Sequence, residues 1–139
     1  MLIAGTQSLV ASHPPYALLA PEFPLRALAA RAGRAPIGGT REAALAAMMA
    51  ARLALGATGA HALPGSVRAE RASAARAWLA SLALPAALRA PFARVAECSA
   101  QDDRAALLEA FVSVIEAVQP QLDPASRTEL REVARSLEP

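Results

Sequence analysis

The chain has no lysine and no asparagine, and its 139 residues hold one cysteine, one tryptophan, one tyrosine, three phenylalanines and two histidines. Each shortage closes off something. A lone Cys98 excludes an intrachain disulfide framework and fits a reducing cytoplasm. Few aromatic and β-branched residues leave little from which to build a sheet. The two histidines, His13 and His61, both lie in proline- or glycine-rich stretches. Neither has a second His, Cys or carboxylate three or four residues on, the spacing a metal site on a helix needs. No metal and no cofactor is expected. The absence of lysine makes all 14 basic residues arginine, which the codon usage of a GC-rich gene explains without selection for function.

Long apolar runs are also missing, despite a hydrophobic content of 55% and a mean hydropathy of +0.30. The passage that most resembles one is "GTREAALAAMMAARLALGATGAHALPG". From Ala43 to Leu55 it spans about 20 Å of helix at about 1.5 Å per residue, short of the roughly 30 Å apolar core of a bilayer. Arg52 stands in it at a cost of about 2.5–3.5 kcal/mol at a membrane centre, as much as its five large apolar residues would gain. No membrane insertion is expected. The start of the chain lacks a basic stretch, and Thr6-Gln7-Ser8 interrupts its apolar residues, so it reads poorly as a secretory signal. The expected location is cytoplasmic.

What the chain does have is alanine, 38 residues of it. Alanine is the strongest helix former, with leucine, arginine and glutamate close behind. The fold class expected is all-α: a small, Ala-rich bundle of about four to six helices with an extended Pro-rich N-terminal arm. The division is drawn at residue 39, with a Pro/Gly-rich arm over 1–39 and a helical bundle domain over 40–139. Five of the eleven prolines fall in the first 36 residues, where each removes an amide donor and biases its predecessor away from α. The arm has room for one short helix, about Pro24 to Ala32, stopped by Gly33. Its apolar residues, Tyr16 and Phe23 among them, predict that it lies on the body or on another chain.

Helix signals follow along the body. Thr40 with Glu42 in the first turn opens a helix that runs to about Leu55, before Gly56. Ser66 opens the next, with Ala72, Ala75, Trp78, Leu79 and Leu82 on one stripe. Pro85 and Pro91 each suit a first turn, which predicts a short helical turn and then a separate helix of about two turns. Ser99 and Asp102 resemble a capping box ahead of "RAALLEAFVSVIEAV", whose broad apolar face predicts a helix central to the bundle. Asp123-Pro124 starts the last helix, which turns Leu130, Val133, Ala134 and Leu137 inward.

The polar groups are too scattered for a catalytic site. Asp102-Asp103 has a structural reason to be acidic at a helix start, and "IGGTRE" lacks both the phosphate-loop pattern and a preceding strand. An enzyme is not expected. Charge is more informative by region: residues 1–95 carry a balance of +7 and residues 96–139 one of −5. Such polarity lets the halves pair, copies meet head to tail, or a basic face meet an acidic partner. In the last helix Arg127, Arg131 and Arg135 recur at i, i+4 and i+8, where adjacent like charges cost a few tenths of a kcal/mol per pair. The stripe predicts an acidic surface opposite, either Glu109 and Glu116 of the preceding helix or a partner protein.

The function expected is that of a non-enzymatic helical protein-interaction module, an accessory or adaptor subunit of a larger or homo-oligomeric assembly. The residues placed at its partner-binding surface are Tyr16, Phe23, Met48, Met49, Arg127, Arg131 and Arg135. For Met48 and Met49, core filling is the competing use. The alternative function is nucleic-acid or phosphate-ligand binding through the arginines of residues 1–95. These are interleaved with alanine rather than with the aromatic residues on which bases stack.

Overall fold

A computed structural model of the chain describes residues 25–34, 39–58, 62–82 and 84–138. Within them lie six helices: α1 (Arg26–Arg34), α2 (Gly39–Gly56), α3 (Gly65–Ser81), α4 (Ala86–Ser99), α5 (Arg104–Val118) and α6 (Pro124–Leu137), with a 3₁₀ turn at Gln119–Gln121. There is no strand among the described residues. The architecture is the small helical bundle the composition predicts. Among the described residues, no helix is long and apolar enough to cross a membrane.

The central helix is α2. It packs against each of the other five, and every residue from Ala43 to Ala54 is buried. Alanine is the reason. Ala43, Ala47 and Ala51, and again Ala46, Ala50 and Ala54, form flat rows on which neighbouring helices lie close, while Leu45, Met48, Met49 and Leu53 fill the gaps between them. The place expected for α5 therefore belongs to α2. Helix α5 buries Leu107, Ala110, Phe111, Val114, Ile115 and Val118 but keeps Glu109, Val112 and Glu116 in solvent. A helix with two carboxylates on one face stays at the surface, whereas one of small apolar residues can be enclosed.

Helix α1 is joined to this core. Leu25, Leu28 and Ala32 are buried in the same cluster as α2, and α1 lies against both α2 and α6. So the described part of the arm packs on the chain's own body. Gly33 does not stop the helix, which runs on to Arg34; a Cβ at this position would meet nothing within 4 Å. Gly56 ends α2 for a different reason. A Cβ there would lie 3.2 Å from Leu63 Cδ1, and the Gly56 carbonyl accepts the Leu63 amide at 2.8 Å, so the returning chain needs the close approach that glycine permits.

Two local expectations are overturned. Pro91 does not separate a turn from a helix: α4 is continuous from Ala86 to Ser99 with Pro91 inside it. Leu88, Phe92, Val95 and Ala96 form one buried face across the proline. The missing bond frees the carbonyl of Ala87, which is exposed, so water satisfies it while the packed face holds the helix together. Nor does Ser99 cap α5. It belongs to the last turn of α4, where its hydroxyl donates to the Ala96 carbonyl at 2.8 Å, and Asp103 takes the cap by accepting the Ala106 amide at 3.0 Å.

Candidate functional site

The arginines divide by what they touch. One group holds the fold together by donating to backbone carbonyls, which at helix C-termini lack intrahelical partners. Arg68, on α3, is the fullest case. Its Nε donates to the Leu63 carbonyl at 3.0 Å, Nη1 to those of Ser99 and Gln101 at 3.4 and 3.3 Å, and Nη2 to Asp102 Oδ1 at 2.9 Å. One planar fork thus ties the start of α3 to the end of α4. Arg104 does the same for the last helix: Nε donates to the Leu137 carbonyl at 2.7 Å, and Nη2 to those of Ser136 and Glu138 at 3.1 and 3.4 Å. A cation there also suits the negative end of the helix dipole. Arg31 donates to the Gln121 carbonyl at 3.3 Å and Arg89 to that of Leu84 at 2.7 Å. Arg52, in the middle of α2, is buried at 3% exposure.

An acid performs the mirror task. Leu25, the residue before α1, has no side-chain acceptor with which to cap it. Glu129 of α6 reaches across the fold instead: the amide of Ala27 donates to its Oε2 at 2.9 Å and that of Leu28 to its Oε1 at 3.0 Å. A carboxylate on two unpaired amides at a positive helix end is favourable through charge as well as hydrogen bonding. At α6 itself, Asp123 accepts the Ser126 amide at 2.8 Å. Its carboxyl is held below its ordinary range by the Ser126 hydroxyl and by that amide. Only the amide meets hydrogen-bond geometry, so it is the firmer cause.

A second group faces solvent: Arg26, Arg34, Arg76 and Arg94, and the stripe on α6. Arg131 and Arg135 are exposed and Arg127 is half-buried, all on α6, and none of the three side chains makes a hydrogen bond or ion pair among the described residues. Alongside lies the outer face of α5. The two helices pack against each other, and the hold of Arg104 on the carbonyls of residues 136–138 makes them antiparallel. Their solvent faces therefore form one surface carrying Glu109, Val112 and Glu116 beside the arginine stripe. Glu109 and Glu116 are likewise without an ion pair among the described residues, so the stripe is not matched by the preceding helix within the chain. Val112, 40% exposed, is the exposed large hydrophobic residue of the described structure. Its position three residues after Glu109 and four before Glu116, an apolar side chain on the polar face, was visible in the sequence.

Of the residues placed at a partner surface, Met48 and Met49 lie in the core at 7% and 0% exposure, the core-filling use. Neither offers a surface without repacking of α2. Tyr16 and Phe23, with both histidines, lie outside the described residues.

Two further features are candidates for chemistry. An open groove of about 240 Å³ is lined by Ala57, Thr58, Gln101, Asp102, Asp103, Arg104 and Leu107. Its charges are already committed, Asp102 to Arg68, Asp103 to the Ala106 amide and Arg104 to the end of α6. Burial pushes the Cys98 thiol above its ordinary pKa, against the opposing pull of Arg94, so the residue behaves as a small hydrophobe rather than a nucleophile. Among the described residues, no three of His, Cys, Asp and Glu come together as a metal-binding group. No family model, curated protein or solved structure matches this chain.

Proposed function

We propose that this chain is a non-enzymatic helical protein-interaction module, an accessory or adaptor subunit, and that it binds through the solvent face shared by α5 and α6. The observation that carries this reading is the arginine stripe. Arg31, Arg68, Arg89 and Arg104 work on the fold's own carbonyls, whereas the side chains of Arg131 and Arg135, like the exposed ones of Arg26, Arg34, Arg76 and Arg94, make no bond to it among the described residues. Arg131 and Arg135 further stand one helical turn apart on a single helix, where their repulsion costs a few tenths of a kcal/mol. An acidic protein surface turns that cost into attraction, and arginine is among the residues enriched at protein interfaces. The partner is a protein or a second copy of this chain. The other use of the arginines, nucleic-acid or phosphate-ligand binding, is left with Arg26, Arg34, Arg76 and Arg94 exposed and Arg41 and Arg71 half-buried, because Arg52 is buried and Arg31, Arg68 and Arg89 hold carbonyls.

The test is a photo-crosslinking residue at Thr128, exposed on α6, with the same residue at Ser73, exposed on α3, as its control. A discrete protein adduct in the native cell at position 128 and none at 73 supports the reading. No adduct at 128, or the same diffuse products at both positions, refutes it.

A further inference from the structure

We propose that the partner of the α5–α6 face is a second copy of the same chain, docked about a two-fold axis that runs along the seam between the two helices. This rests on the reading above and names its partner. The argument is charge placement. Helix α5 presents acids, Glu109 and Glu116, with Val112 between them, and its antiparallel neighbour α6 presents a stripe of bases, Arg127, Arg131 and Arg135, with the exposed Glu132 outside that i, i+4, i+8 row. The clamp from Arg104 onto residues 136–138 sets the register between them to within the length of an arginine side chain. Counting from that clamp at about 1.5 Å per residue, Glu109 stands about 7.5 Å along the pair and Glu116 about 18 Å. On the same scale Arg135, Arg131 and Arg127 stand at about 3, 9 and 15 Å. Glu109 is thus level with Arg131, and Glu116 lies within about 3 Å of Arg127, well inside the reach of an arginine side chain.

A surface with an acidic strip beside a basic strip at matched levels is complementary to itself under one rotation. Turning a second copy by half a turn about the seam lays its α5 over the first copy's α6 and its α6 over the first copy's α5, with both levels preserved. Two acid–base ladders form, related by symmetry, and the two Val112 side chains come to the middle. The other in-plane axis, across the helices, would lay α5 on α5 and α6 on α6, acid on acid and base on base, and is excluded by repulsion. The contact is isologous, so it closes at two copies. With a single valine as its exposed large apolar residue, the interface draws mainly on charge and weakens with salt, whose screening length shrinks from about 10 Å at 0.1 M to about 3 Å at 1 M.

The experiment is sedimentation equilibrium of the full chain at 0.05 M and 0.5 M salt, with two charge-reversal variants. One is Arg127→Glu with Arg131→Glu, the other Glu109→Arg with Glu116→Arg. Arg127 is half-buried and the other three positions are exposed, and circular dichroism checks that each variant keeps its helix content. At low salt the wild type should weigh twice the 14.3 kDa chain, with its dissociation constant rising at least about tenfold at high salt. Each variant alone should be a monomer, since each places like charges opposite one another in both ladders. An equimolar mixture of the two should recover the dimer, because both ladders then pair opposite charges. A chain carrying all four reversals should also dimerise. A wild type that is monomeric at low salt overturns the proposal, as does a dimer that survives either reversal or a mixture that stays monomeric. If the wild type is monomeric while a crosslinker at Thr128 captures a different protein, the self-association fails and the interaction-module reading stands.

Discussion

Replacing Glu129 with alanine should loosen α1 from the bundle, and the size of the effect follows from the two amides left behind. Ala27 is half-buried, so water replaces the lost carboxylate oxygen at little cost, about 0.5 kcal/mol. Leu28 is fully buried, and an amide stranded there costs about 1–3 kcal/mol. The sum centres on about 2.5 kcal/mol, a little above the largest single N-cap losses because two amides are involved. A Glu129→Gln variant keeps one acceptor oxygen and should lose roughly half as much. Urea unfolding gives the total, and amide hydrogen exchange gives the place. The protection of Ala27 and Leu28 should fall about seventyfold, the equivalent of that free energy, while amides in α4 fall no further than the global loss allows. Unchanged protection at both amides, with an unchanged urea midpoint, would refute the idea that a residue of the last helix caps the first.

Four further outcomes follow. Arg104→Met keeps the aliphatic stem but removes the donors, and should lower amide protection in the last turn of α6 at a cost of about 0.5–1.5 kcal/mol in urea unfolding. Ala47→Leu introduces a large side chain where α2 has no free surface and should destabilise by about 1–3 kcal/mol or more; a neutral result would show that the alanine rows are not close-packed. Asp123 has a lowered folded pKa, so its stabilising effect is present above the ordinary carboxylate range and is lost as pH falls through the folded value. The urea midpoint of wild type relative to Asp123→Ala should shrink across that acid window and stay constant above it. Cys98, buried and with a raised pKa, should react with a disulfide reagent at neutral pH only as fast as the helix opens, and rapid stoichiometric labelling of the native chain would contradict its placement.

What could be read from the sequence was whatever depended on neighbours along the chain. Alanine, leucine and arginine dictate helix, and the starts at Thr40, Ser66 and Asp123 lie within a residue of α2, α3 and α6. Of the three, only Asp123 is a cap: Thr40 and Ser66 sit inside the first turn, and Pro64 precedes α3 with no side-chain cap. The errors arose where a distant residue decided. Pro91 is carried inside α4 by a buried face that includes Phe92 and Val95, a contribution no local preference reveals. Ser99 gave way to Asp103 at the cap, since the turn between α4 and α5 is bound by Arg68 from another helix. Leu25 offers no cap for α1, and Glu129, 100 residues or more away from the amides it binds, supplies it. The candidate site shows the same split. The arginine repeat on α6 is periodic and therefore legible. That Arg68 and Arg104 serve carbonyls while Arg131 and Arg135 do not is set by which helix end each faces, and no pattern within its own helix distinguishes them.

That division among the arginines underlies both the fold and the proposed binding face, and the exchange of guanidinium Nε–H protons measures it directly. At 0.5 M salt, where charge-driven association is screened, the Nε–H groups of Arg68 and Arg104 should exchange slowly with water because they donate to the Leu63 and Leu137 carbonyls. Those of Arg131 and Arg135 should exchange at the rate of free arginine. Exchange of Arg68 and Arg104 as fast as that of Arg131 and Arg135 would contradict it, since the two arginines with the most bonds to the fold would then be no more engaged than those of the stripe.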